Sequence, residues 1–230
     1  MTAILLGLTG LNCGGRNPLD QPENIQVKND AGPGQDSQGT TTTAPAWCHP
    51  ADGILTSLFI DPNLLAALRK NLNKPEGEIT TQDALRTTVL DLNRRDIHDL
   101  SGIECFTEAV DVFLSNNQIS DISPLAPLTK VRNLGLGYNY QISDISPVSG
   151  MAGLKYFYVP FNQIADLSPL AGKLDLNNVV LNFNPLTDIA TLIDNPGFGT
   201  GDEAHFSVDQ KIPAAQMAAL KAKGVSVVCP

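Results

Sequence analysis

Between residues 87 and 197 the apolar positions follow one template: a pair two residues apart, then five residues later a pair three apart. Counted from its first position, the template covers residues 87–108, 109–130, 131–153, 154–175 and 176–197. Four copies hold 22 residues, and the third holds 23 because an extra residue lies between Asn139 and Ile142. Positions 4 and 6 are Leu90/Leu92, Val112/Leu114, Leu134/Leu136, Phe157/Val159 and Val179/Leu181. Spacing of two puts each pair on one face of a strand. Positions 11 and 14 are Ile97/Leu100, Ile119/Ile122, Ile142/Ile145, Ile164/Leu167 and Leu186/Ile189, predicted to fill the same core from the turning side. One copy alone would leave apolar edges above and below, so the five are predicted to stack and share a core.

Two polar ladders ride on this pattern. Position 9 is Asn117, Asn139, Asn162 and Asn184, with Arg95 as the exception. An amide there can satisfy backbone groups where the chain leaves a strand. Position 13 is Asp99, Asp121, Asp144, Asp166 and Asp188. A row of carboxylates invites a calcium reading, but each precedes a turn whose free N–H groups it can accept. Pro124, Pro147 and Pro169 at position 16 preset φ in that turn without removing a strand hydrogen bond.

The copy at residues 109–130, AVDVFLSNNQISDISPLAPLTK, matches the leucine-rich repeat consensus at nearly every position. The expected fold is an α/β solenoid with a parallel concave sheet and short convex turns or 3-10 helices. With the DISPLxxL ending, the repeats resemble the internalin-type bacterial leucine-rich repeat. FIDPNLLAALRKNLNKPEGEITTQDA resembles the helical cap before such arrays, and DIHDLSGIECF resembles their first repeat. The likeness covers residues 58–197, about 60% of the chain. It implies a scaffold, and by analogy of fold a protein ligand, rather than a particular partner.

Both ends of the array carry closing signals. Asp61 is placed to N-cap a helix opened by Pro62, with Leu64, Leu65, Leu68 and Leu72 as one stripe and Arg69 and Lys70 in its last turn. Thr80 and Asp83 have capping-box spacing. Pro213 opens a second helical pattern, Gly224 ends it, and VSVV reads as a closing strand, with a degenerate sixth strand in residues 203–208. The predicted organisation is a signal or lipoprotein-like segment (1–13), a disordered linker (14–46), a helical N-terminal cap (47–86), five repeats (87–197) and a helix–strand C-terminal cap (198–230).

The first 46 residues differ in kind. MTAILLGLTGLNC has the length of a signal-peptide apolar core and is too short to span a membrane. Residues 14–46 have few large apolar side chains, so they are predicted to form a flexible tether. Apolar segment, cysteine, polar tether and folded domain resemble a bacterial lipoprotein, which implies lipid on Cys13 and membrane contact through that anchor only. Another export signal and a cytoplasmic protein are the alternatives, and the expected location is the bacterial cell envelope, lipid-anchored or secreted.

Net charge of −9 with 15 dispersed basic residues argues against nucleic acid and anionic membrane surfaces. Cys48 and Cys105 fall at the same end of the solenoid. Cys229 falls at the other, about five strand spacings or roughly 24 Å away. Since a disulfide needs Cα atoms within about 7 Å, Cys48–Cys105 is the expected pair. His49, His98 and His205 lack partners at metal-ligand spacing, Ser115 and Ser123 lack an adjacent base, and no phosphate loop is present. No catalytic residue, metal or cofactor is expected.

Positions 3, 5 and 7 alternate with the buried pairs and point outward from the concave sheet, with position 8 at the strand's end. The chain is 6% aromatic, yet all four tyrosines, Tyr138, Tyr140, Tyr156 and Tyr158, fall on this face or its rim, joined by Phe113, Phe161 and Phe183. Such a collection suits a binding hot spot, the alternative being rings that merely pack on one another. Gly135 is expected to leave a notch walled by Phe113, Tyr158 and Val180. The chain therefore reads as a non-enzymatic module binding a protein partner through these residues. A glycan, or an inert structural envelope role, is the alternative.

Overall fold

A computed structural model describes residues 45–48 and 53–229 of the 230-residue chain. Cys13, the expected leader and nearly all of the expected linker lie outside these residues, as does His49. The buried residue at position 4 is the centre of a three-residue strand in each repeat, and its position-6 partner follows one residue beyond the strand's end. The strands are β1 (Val89–Asp91), β2 (Asp111–Phe113), β3 (Asn133–Gly135), β4 (Tyr156–Tyr158) and β5 (Asn178–Val180). Two more strands follow, β6 (Glu203–His205) and β7 (Ser226–Val228). All seven form one open parallel sheet in strict chain order. Register follows the repeat: Asp111 lies beside Asn133, Asn133 beside Tyr156 and Tyr156 beside Asn178. The segment expected as a cap thus continues the sheet in parallel, because residues 203–208 and the closing strand offer the same alternation as the repeats.

Every residue named at positions 4, 6, 11 and 14 is buried, in one continuous core that runs the length of the molecule. The convex side is built of 3-10 turns at Ile103–Cys105, Ser123–Leu125, Ser146–Gly150 and Ser168–Leu170, and by the short helix α3 (Ala190–Asp194) in the fifth repeat. Pro124, Pro147 and Pro169 open three of these turns. The position-13 carboxylates accept from the backbone N–H two residues on: Ser101 at 2.7 Å, Ser123 at 2.8 Å, Ser146 at 2.7 Å, Ser168 at 2.8 Å and Ala190 at 2.8 Å.

The asparagine ladder ties each turn to the one before it. Asn117 Nδ2 donates to the Leu92 and Leu114 carbonyls, while its Oδ1 accepts from the N–H groups of Arg95 and Ile97. Asn139 and Asn184 repeat the pattern, accepting from Ile119 and Ile164. The third repeat breaks it. Its extra residue is absorbed by Tyr140 in the left-handed region, φ 65°, and the Ile142 N–H no longer reaches the next rung. Asn162 Oδ1 is consequently buried with no hydrogen-bond partner.

At the N-terminal end, α1 (Pro62–Asn71) is capped by Asp61, and α2 (Thr81–Arg86) carries the Thr80–Asp83 capping box. Asn71 at the end of α1 acts as a surrogate strand. Its Nδ2 donates to the Val89 carbonyl at 2.9 Å and its Oδ1 accepts from the Asp91 N–H at 2.9 Å, closing the outer edge of β1. Sealing an edge in this way removes a template for unwanted strand pairing. Cys48 and Cys105 are joined, with Cα atoms 5.2 Å apart, which fixes the turn Ala46–Cys48 to the first repeat. Ala46, the last residue of the expected linker, belongs to that turn. At the other end α4 (Ala214–Ala222) is followed by Gly224 at φ 89°, and Cys229 is buried there.

Candidate functional site

The concave face is laid down by the sheet register. Across positions 5 of successive strands run Asp91, Phe113, Gly135, Tyr158, Val180 and His205. Phe113, Tyr156 and Tyr158 are half-buried on this surface. Glycines decide how these rings lie. A Cβ at Gly137 would come 2.6 Å from Tyr158 Cε1 and 2.8 Å from Pro160 Cδ, and one at Gly135 would sit 3.4 Å from Phe113 Cδ1. The two side-chain-free positions of β3 and its exit are therefore filled from both flanks. The expected notch over Gly135 is absent: Phe113 lies against it and Tyr158 leans over Gly137 instead. Close ring contact releases more apolar surface from water than an open notch would, which is why the rings settle there.

Tyr158 is set firmly. Burial pushes its phenol well above the ordinary tyrosine range, and the Tyr138 hydroxyl, near it and hydrogen-bonded to it, adds to that shift. Tyr156 is less confined, with Lys155 Nζ 5.2 Å from its ring centroid in cation–π geometry. Polar pairs flank the aromatic centre. Asn133 donates to Asp111 on one side, while Asn178 Nδ2 donates to Glu203 at 2.8 Å on the other. His205, which the sequence placed in a cap, stands on the sheet with Nε2 3.3 Å from Glu203 Oε2.

Position 8 forms a second aromatic array, along the rim where each strand ends. Arg94, Asn116, Tyr138, Phe161 and Phe183 all take left-handed backbone, φ between 55° and 60°. For aromatic residues that conformation is uncommon, and nothing in the side-chain pattern announces it. Because every turn repeats it, the side chains stack. Phe161 lies parallel to Tyr138 at 4.6 Å and to Phe183 at 4.1 Å, and Tyr140 meets both Tyr138 and Phe161 edge-on. Tyr140 is 58% exposed and Phe183 37%, the most open of the seven rings. The structure thus divides the seven sequence-predicted residues into a sheet group (Phe113, Tyr156, Tyr158) and a rim group (Tyr138, Tyr140, Phe161, Phe183), bridged by the Tyr138–Tyr158 hydrogen bond.

Sequence reasoning missed Lys173. It is 2% exposed, and its ammonium donates to the Met151 and Ser149 carbonyls of the preceding turn at 2.9 and 3.2 Å. Burial lowers its pKa. Its place at position 20, apolar in the three preceding repeats, was the available signal. Among the described residues no three His, Cys, Asp or Glu side chains converge to hold a metal ion, and no helix is long and apolar enough to cross a membrane.

A parallel sheet advancing one strand per 22–25 residues, an asparagine ladder and 3-10 convex turns define a leucine-rich repeat solenoid. Residues 111–150 match the family model described as Leucine Rich repeats (2 copies). Among solved structures the chain is similar to an internalin, inlF, from Listeria monocytogenes, with 23% identity, 77% of this chain and 65% of that chain covered, and a TM-score of 0.44. It is similar to internalin C2 of the same organism at 22% identity, covering 76% of this chain and 96% of that one, TM-score 0.46. A third likeness, over 34% of this chain and 16% of the other, is to CBM51-2, in complex with GlcNAc, and INT domains from Clostridium perfringens ZmpB, at 30% identity and TM-score 0.31. No curated protein sequence matches the chain.

Proposed function

We propose that this protein is a non-enzymatic binding module, held at a bacterial cell envelope through its N-terminal segment, that takes a protein partner on its concave face and aromatic rim. The observation that carries this reading is the gathering of seven rings on one side of a chain that is 6% aromatic. Tyr140 and Phe183 are the most open, and the other five are half-buried. Rigid aromatic surface framed by polar pairs is the composition of a protein-binding hot spot with its water-excluding surround. A glycan fits less well. A sugar ring stacks on an open aromatic face, and both faces of Phe161 are already taken by Tyr138 and Phe183.

The test is affinity capture from envelope extracts with the full chain and with a Tyr140→Ala/Tyr156→Ala/Phe183→Ala variant. The expected result is a protein retained by the first and lost by the second, with circular dichroism unchanged. Retention by both would remove the aromatic surface from the interface. Elution by free sugar would reassign the face to a glycan.

A further inference from the structure

On the convex side, at the N-terminal end, a recess of about 520 Å³ opens between the first and second turns and the segment before the cap. Trp47, Pro45, Leu100, Pro124 and Pro127 give it apolar walls, and Asp99, Glu104 and Asp121 give it three carboxylates. Among the described residues no Lys or Arg lines it, and His98 is the one basic side chain. Trp47 is the only tryptophan of the chain and stands 47% exposed, although so large an apolar surface is ordinarily covered.

The carboxylates are fixed in advance. Asp99 accepts from the Ser101 N–H and hydroxyl at 2.7 and 2.6 Å, Asp121 from the Ser123 N–H and hydroxyl at 2.8 and 2.9 Å, and Glu104 from the Gly102 N–H at 2.6 Å. Burial, and secondarily the neighbouring Asp99 charge, pushes the Glu104 carboxyl upward, so a cation arriving there would relieve it. Three carboxylates that do not converge suit a charge spread over a large group rather than a compact divalent ion.

We propose that this recess binds an organic cation, an alkylammonium or guanidinium group whose stem packs between Trp47 and the prolines while its charge meets Glu104 and its acidic neighbours. An indole beside carboxylates is a favourable seat for such a group, since the ring face attracts the cation and the apolar wall covers its stem. The two walls belong to different parts of the chain and are joined by the disulfide. Trp47 immediately precedes Cys48, and Glu104 immediately precedes Cys105. The site is thus complete only when that bond is formed. A lysine or arginine side chain of another protein and a free polyamine share the required chemistry.

Because Trp47 is the sole tryptophan, its fluorescence reports the site directly. The full chain is titrated with N-acetyl-lysine methylamide, N-acetyl-arginine methylamide, spermidine and the neutral N-acetyl-norleucine methylamide. A saturable change is expected with the cations and none with norleucine. Tighter spermidine binding assigns the site to polyamines, and tighter binding of the amino-acid derivatives assigns it to a protein side chain. Glu104→Gln, with unchanged circular dichroism, should weaken cation binding about tenfold, and reduction of the disulfide should abolish it. No saturation by any cation, an equal response to norleucine, or displacement of the cations by millimolar calcium would overturn the proposal. Unchanged affinity in Glu104→Gln would overturn the role of that carboxylate, and persistence after reduction the role of the disulfide.

Discussion

Asp61 accepts four backbone hydrogen bonds, from Asn63 and Leu64 at 2.7 and 3.3 Å and from His98 and Asp99 at 2.7 and 3.1 Å. One oxygen caps α1 and the other holds the chain ahead of the first repeat's convex turn, so a single carboxylate joins cap to array. Burial works to raise its pKa, but the four donations outweigh it and the net shift is downward. Its folded pKa lies below the unfolded value, so its contribution is complete above about pH 3.8 and is lost as pH falls through the folded pKa. Asp61→Ala should lose roughly 2–4 kcal/mol at neutral pH in urea unfolding, from a missing cap and two stranded N–H groups. Its stability should also fall less steeply than the parent's below about pH 3.8. Half of this was legible. The Asp–Pro start of α1 is local chemistry, whereas the reach to His98 depends on how α1 docks, which no local spacing encodes. Lys173 differs: its position 20 marked it as inward, and what the sequence hid was the pair of carbonyls that receive its ammonium.

At the scale of elements, a fixed period made the strands and turns predictable, and departures from the period are where the structure adds information. The extra residue of the third repeat leaves Asn162 Oδ1 without a donor. Deleting Gln141 should return the Ile142 N–H to that oxygen and raise stability by about 1–2 kcal/mol in chemical denaturation. It should also draw Tyr140 out of its left-handed conformation. No gain would mean that the orphan acceptor is satisfied by water. The Cys48–Cys105 bond closes a separation of 57 residues. By loop-closure entropy, replacing both cysteines with serine should cost about 4 kcal/mol, read as a lower urea midpoint. Seating of the bond followed from the repeat geometry alone. That β6 and β7 would extend the sheet was only half visible, because Ala204 is a small side chain at the inward place that Leu, Val or Phe holds in the repeats.

Over the whole molecule the aromatic side was visible from the alternation of positions, but its internal division was not. Position 8 reads as a strand end, and only the repeated left-handed turn stacks Tyr138, Phe161 and Phe183. Phe161→Ala, which removes two stacked contacts at once, should destabilise the fold by roughly 1–3 kcal/mol, more than Phe183→Ala. Equal losses in thermal unfolding would show that the stack contributes little. At the other end of the chain, Cys13→Ser should move the protein from the membrane to the soluble fraction if that residue is lipid-modified, and unchanged partitioning would refute the anchor. The left-handed residue that closes each of the five strands has one further consequence. Its φ stays between 55° and 60° in all five repeats although Arg, Asn, Tyr and Phe occupy it, so the solenoid leaves that side chain's chemistry open. Here it passes from Arg94 through Asn116 to Tyr138, Phe161 and Phe183. The rim therefore has a head and a tail, hydrophilic in the first two repeats and aromatic in the next three. A ligand lying along it would meet a polarity gradient that favours one direction over the other.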